Sequence, residues 1–204
     1  MGNVIVELAM SLDGFIAGPN DSPERSLGDG GERLFTWYFN GDTEIAMPSY
    51  ELVFKTDPVS AELMRESFRT YGASVTGRRT FDIANAWGGK DPHGVPSFIV
   101  SHSVPAEWSG ARSPFTFVTD GVASAIAQAK AAAGHKDVGV AAASIAQQCL
   151  KLGLLDEIQI HLVPVLLGEG IRLFDHLGAA PIELERTRVV EAPGVTHLTF
   201  RVVK

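Results

Sequence analysis

The sequence predicts an α/β fold whose sheet is mixed and mostly parallel, with an antiparallel hairpin at its C-terminal end. Strand-like apolar runs alternate with helical patterns as far as Leu152, whereas only strand patterns follow Asp156. The first run, Val4-Ile5-Val6-Glu7-Leu8-Ala9-Met10, is β-branched and nearly continuously apolar, as expected of a strand covered on both faces.

After this strand, Ser11 to Asp21 is rich in turn residues, and 21–31 is a polar, glycine-rich loop of the length that usually serves function. A short helix is expected around 34–39. Residues 58–71 form a helix with Met64, Phe68 and Tyr71 on one face. A strand at 73–76 ends at Gly77, where a helix over 78–86 starts, and further strands lie at 97–101 and 115–118. Residues 121–133 carry Val122, Ile126, Ala129 and Ala133 along one side of a helix that stops at Gly134. Residues 138–141 read as a strand and 143–152 as a helix with Ile145, Cys149 and Leu152 inward. The strands 157–163, 182–191 and 195–203 complete the chain. In the last, Leu198, Phe200 and Val202 alternate with His197, Thr199 and Arg201, the pattern of an edge strand with one wet face. No repeat or linker interrupts the chain, so one domain over 1–204 is expected.

Composition excludes several classes. Hydrophobic residues are 45% of the 204, too many for a disordered chain. The formal net charge of −7, with no basic cluster longer than Arg78-Arg79, speaks against a nucleic-acid partner. The lone Cys149 allows no internal disulfide and no thiol pair for zinc, so a cytoplasmic location is expected. No basic residue precedes Arg25, so a signal peptide is not expected. The apolar, uncharged stretch 138–150 is too short to span a membrane. The six histidines are scattered without ligand spacing, so no metal site is expected. Signatures of zinc proteases, zinc deaminases, α/β-hydrolases, P-loop NTPases and the Gly-x-Gly-x-x-Gly dinucleotide fold are absent from the sequence.

Three strand ends carry segments suited to a ligand. Gly77-Arg78-Arg79-Thr80-Phe81 places two guanidiniums and a hydroxyl at a helix start, which suits phosphate; a solvated arginine pair capping a helix is the simpler alternative. Ser101-His102-Ser103 follows an apolar strand. Ala141-Ala142-Ala143-Ser144-Ile145 joins a strand to a helix through small residues, for close backbone approach to a ligand or for tight packing.

With Ser11-Leu12-Asp13-Gly14-Phe15-Ile16-Ala17 and the C-terminal Gly153-Leu154-Leu155-Asp156-Glu157, Leu162-Val163-Pro164-Val165-Leu166-Leu167-Gly168-Glu169-Gly170 and Leu173-Phe174, these segments resemble the dihydrofolate reductase-like superfamily. Within it the chain resembles the RibD C-terminal (riboflavin biosynthesis reductase-like) domain family, over nearly its whole length. The resemblance implies a three-layer fold with an eight-stranded sheet, helices on both faces, and NADPH as hydride donor. It implies that Ala9, Ile16 and Ala17 line the nicotinamide end and that Arg78, Arg79, Ser101 and His102 hold the 2′-phosphate. Gly77 and Thr80 then lie close to the cofactor, Thr80 near the pyrophosphate, with Ala141, Ala142, Ala143, Ser144 and Ile145 beneath it.

Two departures bear on this. The family usually has a glycine pair where this chain has Ala141-Ala142, and its riboflavin reductases carry a glutamate where this chain has Val140. The helix at 34–39 also lacks the carboxylate that dihydrofolate reductases use on the pterin. For catalysis Asp13 is the candidate polar group near the nicotinamide, or else a turn aspartate bonding its own backbone. Trp37 and Phe174 are candidate walls for a planar substrate, although Trp37 equally suits the core. The function expected is reduction of a small heterocycle (pteridine- or pyrimidine-like) or carbonyl, in the manner of 5-amino-6-(5-phosphoribosylamino)uracil reductase or dihydrofolate reductase. The alternative is a non-catalytic NADP(H)- or nucleotide-binding protein on the same scaffold. A homodimer is expected, because the last strand offers an open edge.

Overall fold

The computed structural model describes residues 2–110 and 113–204. In chain order its elements are β1 (Val4–Ser11), β2 (Phe15–Ala17), a 3-10 helix (Gly31–Phe39), β3 (Thr43–Ala46), β4 (Val53–Thr56), α1 (Pro58–Thr70), β5 (Tyr71–Gly77) and α2 (Arg78–Ile83). A 3-10 turn (Asn85–Gly89), β6 (Ser97–Val100), a 3-10 turn (Ala106–Trp108), β7 (Phe115–Val118), α3 (Val122–Ala133), β8 (Asp137–Ala141) and α4 (Ala143–Lys151) follow. The chain ends with β9 (Glu157–Val163), β10 (Ile171–Arg172), β11 (Leu184–Ala192) and β12 (Val195–Val202).

Eight strands form one sheet in the order β11-β12-β9-β1-β8-β5-β6-β7. The six from β9 to β7 are parallel to their neighbours, and β12 runs antiparallel to both β9 and β11. After β7 at one edge, α3 returns the chain to β8, which slots between β1 and β5. This reversal opens the sheet at the carboxyl ends of its central strands, the usual place for a ligand in α/β folds.

Period-2 alternation divides the side chains of the central strands between two layers. Val4 and Val6 of β1, Val138 and Val140 of β8 and Ile158 and Ile160 of β9 pack beneath α3 and α4. The opposite face carries Ala9 and Val163 against Leu34, Trp37, Ala61 and Met64. Helix α1 lies on this second face. Asp57 caps it, accepting from the Val59 and Ser60 amides at 2.9 and 3.0 Å, and Pro58 opens the first turn without losing a hydrogen bond. Its buried residues are Ser60, Ala61, Met64 and Ser67, so two serines two turns apart face the sheet.

Three expectations require correction. The last strand is not the sheet edge: β12 lies between β9 and β11, and β11, mostly exposed, forms the rim. The polar face of β12 is not uniformly solvated, because His197 is 5% exposed beneath α1. The helix after Gly77 ends at Ile83, since Asn85, Ala86 and Trp87 all take positive φ of 48–49° and cannot continue it. The small strands β2, β3, β4 and β10 were not anticipated. They are two- to four-residue ribbons without enough alternation to register.

Candidate functional site

A groove of about 870 Å³ crosses the carboxyl ends of the parallel strands. Every strand-end segment singled out above contributes to it: Gly77, Arg78, Arg79 and Thr80 after β5, Ser101 and His102 after β6, and Ala142, Ala143, Ser144 and Ile145 after β8. Ile16 and Ala17 of β2 line it as well. Parallel alignment of β5, β6 and β8 brings together segments whose residues lie 21 to 68 positions apart in the chain.

The cationic end has defined geometry. Arg78 donates from Nε to both Asp82 oxygens at 2.7 and 2.9 Å, and Arg79 donates from Nη2 to Asp21 at 2.6 Å. The second bond ties the 21–31 loop to the groove, and Ser26 and Leu27 of that loop line it. The loop is itself pinned by the Gly18 amide on the Leu27 carbonyl at 2.8 Å and by Asn20 on Asp29 at 2.7 Å. A Cβ on Gly18 would collide with the Asp29 carbonyl, so the crossing of the two segments requires glycine. Each guanidinium keeps unused donors for an anion.

The N-terminus of α4 opens into the same groove, and no side chain caps it. Its first amides are therefore free donors at the positive end of the helix. The Ala141–Ala142 peptide is cis. Ala142 has φ −109°, and Ala141 is not among the positive-φ residues, so neither position demands glycine. The residues present fit a phosphorylated dinucleotide: free helix-terminal amides beneath, an arginine pair at one end, and apolar walls at the other.

Beside the groove lies a second cavity of about 440 Å³. The two share Leu8, Ser26, Leu27, Phe35, Thr80 and Ile83. Aromatic rings dominate the cavity walls: Phe35, Tyr38, Phe54, Phe68, Tyr71 and Trp87. The Tyr50 hydroxyl donates to the Trp87 carbonyl at 2.6 Å and holds this left-handed segment in place. Ser74 and Thr76 alternate with the core residues Ala73 and Val75 and so face the cavity side; Ser74 donates to Asp91 at 2.6 Å, whereas the Thr76 hydroxyl is buried without a partner.

At the cavity floor sits Glu7, 16% exposed. Its Oε2 accepts from the Tyr71 hydroxyl at 2.6 Å and from Ser67 of α1, and its Oε1 meets His161 Nε2 at 3.2 Å. Burial alone would raise its pKa, but the hydrogen bond and charge of His161 with the two hydroxyls outweigh it and hold the carboxyl at about 2. His161 and His197 are register partners across β9 and β12, and their Nδ1 atoms lie 2.8 Å apart. His197 Nε2 then meets Ser60 Oγ at 2.9 Å. Burial, followed by the charge of His161, pushes His197 down to about 4.

The ionised Glu7 assigns the tautomers along this chain. With both rings neutral, His161 donates from Nε2 to Glu7 and accepts at Nδ1 from His197, which accepts at Nε2 from Ser60.

Other candidates lie elsewhere. Asp13 lines neither cavity; it accepts from Ser11 Oγ at 2.6 Å and from the Leu167 and Gly168 amides at 3.1 and 2.8 Å. The Ser11 bond, against a smaller burial effect and with the two amides, lowers its carboxyl to about 2. Ala9 and Trp37 are core residues, 6% and 1% exposed, and Trp37 stacks on Tyr38 with centroids 3.8 Å apart. Phe174 is 36% exposed and lines neither space, and Ala141 lines the side cavity rather than the groove. Glu7, His161, His197, Asp91 and Trp87 were not singled out in the sequence. The available signal was a lone acid inside an apolar strand, where burial without partners is costly.

Among the described residues, no helix is long and apolar enough to cross a membrane, and no cluster of His, Cys, Asp or Glu is arranged to hold a metal ion.

Comparison with solved structures gives the same architecture over the whole chain. A protein provisionally named for riboflavin biosynthesis from Shewanella sp. PV-4 superposes with a TM-score of 0.70 at 23% identity, covering 99% of both chains. A pyrimidine reductase-like protein from Corynebacterium diphtheriae gives 0.62 at 13%, covering 100% of this chain and 92% of that one. The diaminohydroxyphosphoribosylaminopyrimidine deaminase/5-amino-6-(5-phosphoribosylamino)uracil reductase of Thermotoga maritima gives 0.63 at 12%, covering 99% of this chain and 57% of that one. At these identities the likeness is one of fold, the three-layer dihydrofolate reductase-like arrangement. No curated protein matches in sequence. The family model for the RibD C-terminal domain matches residues 3–198. The chain therefore belongs to the RibD C-terminal domain family.

Proposed function

We propose that the chain is an NADPH-dependent reductase that delivers a hydride to a small planar heterocyclic or carbonyl acceptor held in the side cavity. The observation that carries this reading is the continuity of two spaces of different chemistry: a groove with anion-binding features runs into an aromatic cavity through Leu8, Leu27, Phe35, Thr80 and Ile83. A long phosphorylated cofactor beside a compact acceptor requires such a junction. Two relatives in fold are named as reductase or reductase-like, which supports the same reading.

When bound, NADPH supplies a hydride to the carbon of a C=N or C=O group, and the heteroatom of that group takes up a proton. The residues of the chain bind, orient and exclude water. Arg78, Arg79, Ser101 and His102 take the 2′-phosphate, and the amides of Ala143, Ser144 and Ile145 take the pyrophosphate. Ile16, Ala17 and Leu8 wall the nicotinamide at the junction, with Ala9 one residue further along β1. A homodimer through the exposed rim of β11, and a cytoplasmic location, belong to the same proposal. A monomeric mass by light scattering would remove the former.

The test is a pair of titrations with NADPH and NADH, on the wild type and on Arg78→Ala and Arg79→Ala. The Arg79 side chain is 68% exposed, so solvent screening limits its contribution to about 1 kcal/mol, or roughly fivefold in Kd for NADPH. NADH binding is expected to stay unchanged. Equal losses for both cofactors would argue against a 2′-phosphate role, and absence of NADPH binding would overturn the proposal. Tight binding without turnover on any acceptor would favour the non-catalytic alternative.

A further inference from the structure

The side cavity narrows the acceptor further than the reading above, on which its redox role rests. Its charge is one-sided. Glu7 and Asp91 both line it; the histidines that line it, His93 and His161, already face those two carboxylates, and among the described residues no Lys or Arg does. The arginines of this region, Arg78, Arg79 and Arg172, line the neighbouring groove instead. Glu7 is ionised, and its three partners leave one of about four acceptor directions open, on Oε1. Asp91, 8% exposed, has Oδ2 bonded by Ser74 and Oδ1 by the His93 amide at 2.8 Å. The Thr76 hydroxyl, on the cavity side of β5, is a buried polar atom without a partner. Much of the remaining wall is aromatic, with Phe35 stacked on Tyr38 at 5.5 Å between centroids and Phe54 tilted against Tyr38 at 4.7 Å.

We propose that this cavity selects an unphosphorylated planar heterocycle, neutral or cationic, that stacks on its aromatic walls and presents an N–H donor to Glu7. A phosphate on the ring would bring its charge against two carboxylates, with no lining Lys or Arg to compensate. Carboxylates and phosphates on the ring are excluded by the same term, while a ring with amidine-like N–H groups is favoured by it.

The test uses binding rather than turnover. 2-Aminobenzimidazole, a flat ring with N–H donors along one edge, is titrated by calorimetry beside its 5-carboxylate and 5-phosphonate, with and without saturating NADP+ to fill the groove. The parent ring is expected to bind and both anionic derivatives to bind at least tenfold more weakly. In Glu7→Gln the affinity of the parent falls at least tenfold. Since the wild-type comparison needs no variant, it decides the question even where Glu7→Gln fails to fold. Equal or tighter binding of the anionic rings, or no binding of the parent, would overturn the proposal. Cofactor binding without ring selectivity would sink this inference alone; ring selectivity without any cofactor binding would sink only the reductase reading.

Discussion

Replacing His197 by Asn tests the buried Glu7–His161–His197–Ser60 chain through its titration. In the folded protein, burial and the charge of His161 lower His197 from 6.5 to about 4. Between these values the unfolded chain binds a proton that the folded chain refuses, so stability is complete above 6.5 and is lost as pH falls towards 4. For the wild type, this costs about 2 to 3 kcal/mol between pH 7.5 and pH 4.5. Glu7 acts in the same direction, but its contribution declines only as pH falls through 4.5 and below, towards its folded value of about 2. His197→Asn keeps a polar group opposite His161 and has no ring to protonate. At pH 7.5 the variant is less stable by about 1 to 2 kcal/mol, because the Ser60 hydroxyl, buried at 0% exposure, loses its partner. At pH 4.5 the gap between the two proteins closes or reverses by about 2 to 3 kcal/mol. Urea unfolding followed by tryptophan fluorescence at both pH values measures it. An unchanged gap at the two pH values would refute the assignment of His197 as a buried neutral imidazole.

The core position of Trp37 predicts that Trp37→Phe destabilises by about 1 to 3 kcal/mol in urea unfolding. Its NADPH affinity stays within twofold of wild type, as measured by titration. Asp13→Ala lowers the melting temperature in calorimetry, because the Leu167 and Gly168 amides lose their acceptor, and leaves cofactor affinity unchanged. Cys149 is 0% exposed, with burial raising its thiol to about 12. It therefore resists dithionitrobenzoate in native buffer and reacts fully only once urea unfolds the chain.

What was legible in the sequence was local. Gly77-Arg78-Arg79-Thr80, Ser101-His102 and Ala142 to Ile145 are contiguous segments at strand ends, and parallel pairing necessarily gathers such ends on one side of the sheet. The polar chain at the cavity floor was not legible in this way. Ser67, Tyr71 and His161 lie 60, 64 and 154 residues from Glu7, and His161 meets His197 only because β9 and β12 pair in that register. Seen along the chain alone, Glu7 interrupts an apolar strand and His197 belongs to a wet face; three-dimensional partners make their burial tolerable. The sheet edge was misplaced for a related reason, since alternation shows that a strand has two environments without showing which strands flank it. Trp37 left core and pocket equally open, because an aromatic on a short helix suits either until its neighbours are known.

The central claim, that the groove holds NADPH with its nicotinamide at the mouth of the aromatic cavity, is tested most directly by a crystal structure of the chain soaked with NADPH. The account predicts the 2′-phosphate at Arg78, Arg79, Ser101 and His102, the pyrophosphate over the α4 N-terminus at Ala143 and Ser144, and the nicotinamide ring against Leu8, Ile16 and Ala17. A dinucleotide bound in the reverse direction, or outside this groove, would contradict it.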